Sequence, residues 1–110
     1  MIASYERIDR FYVDQVAYLL GKLQAAQEPN GSVLDNSLVL FGSEVSDGDS
    51  HSFLNMPVLL AGRAGGALAP GRHVAVPGGR PLADLYLTML QSLGVAATSF
   101  GNSTGAVSLA

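Results

Sequence analysis

The chain has 110 residues, 48% hydrophobic and 14% charged, with a net charge of −3 and a pI near 5.0. That length supports one domain around one core, and so high an apolar share argues strongly against intrinsic disorder. The acidic balance gives no basic footprint for a nucleic-acid partner, no run reaches the length of a membrane span, and with no cysteine there is no disulfide framework or thiolate metal site.

So small a charged fraction also indicates a surface covered elsewhere, by a partner, by self-association or by further parts of the same protein. The first ten residues, MIASYERIDR, lack the charged-then-apolar layout of a secretory signal. Ile8, Phe11, Tyr12, Gln15, Val16, Leu19, Leu20 and Leu23 then follow the i, i+3, i+4, i+7 rhythm of an amphipathic helix, placed at residues 4–27. Pro29-Asn30-Gly31 stops it with a turn signal. Two short runs rich in Leu and Val follow, predicting strands at 37–41 and 56–61. Both are continuous rather than alternating, which is how a strand buried on both faces reads.

Residues 62–79 carry six glycines with Pro70 and Pro77 and predict a loop, holding at most a short strand at 72–76. Pro81 opens a second helix, Leu82, Leu85, Tyr86, Met89, Leu90 and Leu93 line one of its faces, and Gly94 ends it. The apolar stripes of both helices read as core. The residues after Val95 are small and polar, without periodicity. Helix, buried strand, loop, buried strand and helix make an α/β layout. It is an incomplete one, because a strand buried on both faces needs neighbours that this chain does not supply.

The chemistry concentrates between the two strands, where Glu44, Asp47, Asp49 and His51 fall within eight residues. Loops at the mouth of an α/β sheet are where such proteins place their sites. Asp47-x-Asp49-x-His51 puts alternate side chains on one side of an extended loop, and carboxylate with imidazole suits a divalent metal such as zinc, manganese or iron. On residue chemistry alone the commoner outcome is an Asp/Ser/Gly turn with the aspartates bonded to their own backbone. A calcium hand fails, since Val58 stands where its closing glutamate belongs. Gly101-x-Ser103-x-Gly105 imitates a nucleophile elbow, but no acid or histidine follows it. Gly62-Arg63-Ala64-Gly65-Gly66 lacks the Lys-Ser/Thr of a phosphate loop, and His73 beside Arg72 reads as a surface residue.

The combination is more specific than its parts. LDNSLVLFGSEVSDGDSH, Asn55-x-Pro57-VLLAG, GRH, PLADLYLTMLQSLGV and SFGNSTG together resemble the C-terminal part of a bacterial family of unknown function named for a His-x-x-Ser-His-His motif. The resemblance runs from Ile8 to Gly105. That family is similar to the alkaline-phosphatase and sulfatase superfamily, whose large α/β sheet is mostly parallel. The resemblance implies a partial three-layer, alkaline-phosphatase-like α/β fold, incomplete as a stand-alone domain. It puts Glu44 and Asp47 where superfamily metal ligands leave their strand, and matches His51, Asn55, Arg72 and His73 to further family positions. Phe53 and Leu54 depart from the family, which carries a second histidine and an aspartate there. The naming motif belongs shortly before Ile8 and is absent from these residues.

The resulting expectation is the C-terminal segment of a metal-dependent hydrolase-like protein for phosphate or sulfate esters, inactive alone. A divalent metal (zinc, manganese or calcium) would be held by Asp47, His51 and Glu44, with Asp49, Asn55, Arg72 and His73 as further site residues. The family's export signals imply a periplasmic or extracytoplasmic place for the intact protein. The alternative is a non-catalytic structural or interaction domain.

Overall fold

The computed structural model describes residues 2–76 and 78–109. Helix α1 (Ile2–Ala25) ends two residues before the expected stop, because the chain turns at once into a minimal antiparallel hairpin. In it β1 (Gln27–Glu28) pairs with β2 (Gly31–Ser32) around Pro29-Asn30. The Val33 and Leu34 N–H groups donate to the Ala26 and Leu23 carbonyls at 2.9 and 3.2 Å, so the returning chain satisfies carbonyls that the helix end leaves open.

Only Val16, Leu20 and Leu23 of the expected α1 stripe are half-buried. Ile8, Phe11, Tyr12 and Leu19 are exposed, Phe11 at 58%. The reading of this stripe as core is therefore corrected: Ile8, Phe11 and Tyr12 all stay open to solvent. Periodicity reports which face is apolar, not whether a partner lies against it.

Strand β3 (Leu38–Gly42) pairs antiparallel with β4 (Val58–Gly62), with Leu38 opposite Gly62 and Gly42 opposite Val58. The fold is thus mixed α/β, with two helices and two small two-stranded antiparallel sheets. Neither long strand is buried on both faces as its run of apolar residues predicted; both are half-buried, and Leu59 is 47% exposed. Continuous apolar sequence fits a doubly covered strand and a two-stranded ribbon whose outer face is bare equally well.

Asp35 ties this ribbon to the first hairpin. Its Oδ2 accepts from the Ser32 N–H at 2.9 Å and from the Ser32 hydroxyl at 2.7 Å, and its carbonyl accepts from the Gly65 N–H at 2.9 Å. Arg63 Nε lies 3.4 Å from its Oδ1. The Ser32 hydroxyl and N–H bonds hold the Asp35 carboxyl below the ordinary carboxylate range against a smaller burial effect, with Arg63 adding a little.

Apart from a 3₁₀ turn at Ala64–Gly66, the described part of the glycine-rich stretch is irregular, and no strand forms at 72–76. Pro77 lies outside the described residues. Helix α2 (Ala83–Ser92) ends as expected at Gly94, whose φ is +82°. The Gly94 and Val95 N–H groups donate to the Gln91 and Leu90 carbonyls, both at 3.0 Å, a doubly bonded left-handed helix stop. Its most buried face is not the predicted one. Ala83, Asp84, Leu87 and Thr88 are buried, Leu87 at 1% exposure, whereas Leu82, Leu85, Tyr86, Met89 and Leu90 are half-buried and Leu93 is exposed.

Candidate functional site

The segment 43–57 joins β3 to β4 and carries five of the seven candidate residues. Glu44, Asp47, Asp49, His51 and Asn55 are all exposed. Asp47 Oδ1 accepts from the Ser50 N–H and hydroxyl, both at 2.8 Å, and from the Asp49 N–H at 3.1 Å. The Asp47 and Ser52 backbones pair across the turn, and the Ser46 N–H and hydroxyl donate to the Ser52 carbonyl at 2.7 and 3.0 Å. His51 sits at the return of this turn with φ +52°, and Asn55 has φ +54°. Such left-handed backbone is uncommon outside glycine, and here it closes the tight tip.

The arrangement is the Asp/Ser/Gly turn that residue chemistry favours. Hydrogen bonds from the Ser50 N–H and then its hydroxyl depress the Asp47 carboxyl below the ordinary range, outweighing a small burial effect, with the Asp49 N–H adding to them. A depressed pKa means that the turn's contribution is complete above the unfolded value near pH 3.9 and is lost as pH falls through the lower folded value. Acid titration followed at the Ser50 amide is expected to show its midpoint below that value. Asp47→Ala is expected to remove the exchange protection of the Asp49 and Ser50 amides, while Asp47→Asn keeps it, since an asparagine oxygen accepts the same bonds.

Arg72 and His73 lie apart on the glycine-rich loop, both exposed. Arg72 Nη2 donates to the Leu109 carbonyl. The structure thus gathers Asp47, Asp49 and His51 in one tip and puts the basic pair on another loop. Among the described residues, no three His, Asp or Glu side chains gather closely enough to hold a metal ion. Asp47 Oδ1 is already occupied by three donors, which leaves its other oxygen to meet a cation. The residues present do not by themselves make a metal site, and no catalytic step is derived from them.

The polar centre that the sequence reading missed is Asp84, which is fully buried. Its Oδ1 accepts from the Thr104 N–H at 2.6 Å and the Gly105 N–H at 3.3 Å. Its Oδ2 accepts from Arg80 Nε at 2.6 Å and the Thr104 hydroxyl at 3.1 Å. Burial pushes this carboxyl up, but the Thr104 N–H, the Arg80 bond, the Thr104 hydroxyl and the Arg80 charge together hold it below the ordinary range. The available signal was spacing: Asp84 and Thr88 stand four apart on one face of α2, and Arg80 precedes Asp84 by the same interval just before the helix begins.

Compared with protein-family models, with curated proteins and with solved structures, the chain matches none. No helix among the described residues is long and apolar enough to cross a membrane.

Proposed function

We propose that this chain works as part of a larger α/β assembly, as the C-terminal segment of a metal-dependent hydrolase-like protein of alkaline-phosphatase-like, three-layer architecture. The observation that supports a segment is the bare apolar face of α1, where Tyr5, Ile8, Phe11, Tyr12 and Leu19 are all exposed. Soluble chains rarely leave such a stripe open to water. The hydrolase half of the reading rests on the family resemblance, with phosphate or sulfate esters as the substrate class. In it the 43–57 tip contributes Asp47, His51 and Glu44 to a site whose other ligands come from outside these residues.

The test has two arms. The 110-residue chain alone is expected to turn over neither an aryl phosphate nor an aryl sulfate, with or without zinc, manganese or calcium; turnover would refute a partial site. In the longer protein that the reading requires, Asp47→Asn and His51→Ala are expected to lower bound metal. Unchanged metal content would favour the second reading, a non-catalytic interaction domain. The observation favouring that alternative is the self-contained bonding of the Asp47 turn.

A further inference from the structure

The segment after α2 runs back along that helix and is bonded to it at every stage. Gln91 Nε2 donates to the Ala97 carbonyl at 2.8 Å, and the Phe100 ring meets Tyr86 edge-on with centroids 5.9 Å apart. Asp84 takes the Thr104 and Gly105 amides, and Arg80 Nη2 donates to the Gly105 carbonyl at 2.7 Å. The Thr88 hydroxyl accepts from the Val107 N–H at 2.7 Å and lies 2.9 Å from the Val107 carbonyl. Helix and tail therefore satisfy each other's buried polar groups. No hydrogen bond or ion pair among the described residues joins α2 directly to α1 or to the β3–β4 ribbon.

We propose that α2 and residues 95–109 form one unit, clasped by Asp84 and Thr88, which opens as a body while the β3–β4 ribbon stays folded. Two features mark the seam. Arg72 is held by the Leu109 carbonyl, and Leu109 lines a cavity of about 90 Å³ together with Leu60, Leu68, Val74 and Pro70. Opening of the unit withdraws Leu109, widens that cavity and frees the Arg72 guanidinium. The last consequence bears on ester binding only if Arg72 belongs to the site proposed above; the opening itself does not depend on that reading. Local openings of this kind separate stretches that share few contacts.

The experiment is amide hydrogen exchange on the full chain, read by segment. In the wild type, 83–92 and 104–107 are expected to exchange together and faster than 38–42 and 58–62. Asp84→Asn is expected to speed exchange in both clasped segments at least about tenfold and leave the ribbon unchanged. Should that variant fail to fold, Thr104→Ala deletes only a hydroxyl contact, and it is expected to give the same selective pattern at smaller size. Equal acceleration of the ribbon in either variant would show one cooperative unit and overturn the proposal. Acceleration of 104–107 without 83–92 would show the tail leaving by itself and would overturn it as well.

Discussion

Gly62→Ala is expected to destroy the β3–β4 pairing. Gly62 has φ +99° and sits opposite Leu38 at the end of the ladder. A Cβ built there would lie 2.2 Å from the Ser37 carbonyl oxygen and 2.9 Å from that of Leu34. Both obstacles are backbone and cannot rotate aside. They belong to the turn that receives the Ala64 N–H on the Ser37 carbonyl at 3.0 Å and the Gly65 N–H on that of Asp35. Positive φ alone costs a non-glycine residue on the order of 1–3 kcal/mol, and displacing two carbonyls adds to that. Loss of a cooperative thermal transition and of strand signal by circular dichroism is the expected outcome. Gly48→Ala, in the open tip where a Cβ meets nothing within 4 Å, is expected to leave the melting temperature close to wild type.

The second large effect is at Asp84. Each of its oxygens receives only donors: two backbone amides on Oδ1, Arg80 and the Thr104 hydroxyl on Oδ2. An asparagine must turn an NH₂ toward one of those donor sets, so Asp84→Asn is not a mild replacement, and Asp84→Ala leaves every donor without its partner. Both are expected to lower the melting temperature more than Thr88→Val. That change strands the buried Val107 N–H and is expected to cost about 1–3 kcal/mol in a denaturant titration.

The pH dependence follows from the sign of the shift. Asp84 is depressed, so its stabilisation is present in full above the unfolded value near pH 3.9 and is lost as pH falls through the lower folded value. The C-terminal amides of Thr104 and Gly105 are expected to lose protection only under that acid condition. Loss of protection between pH 5 and 7 would contradict an ionised, donor-bound Asp84.

Much of the chain's local organisation was legible beforehand. The helix stop at Gly94, the turn after α1 and the two strands fall within two residues of their predicted places, because turn residues and apolar runs act over short range. The hydrogen-bonded character of the Asp47 turn was also readable, since aspartate and serine two or three apart bond their own backbone. The buried face of α2 was not. Its centre is an aspartate and a threonine, which a search for apolar periodicity discounts, and their partners Thr104 and Val107 lie twenty and nineteen residues away.

By itself the sequence determined where elements begin and end, which faces are apolar and which loop collects carboxylates, all properties of neighbours along the chain. Only the tertiary structure decided that β3 and β4 pair antiparallel, that Ile8, Phe11 and Tyr12 of the α1 stripe stay bare, and that Asp84 is buried among four hydrogen-bond donors. Burial and donor geometry depend on which distant segments meet, and a carboxylate becomes a buried hub only when the backbone brings enough N–H groups to replace its water.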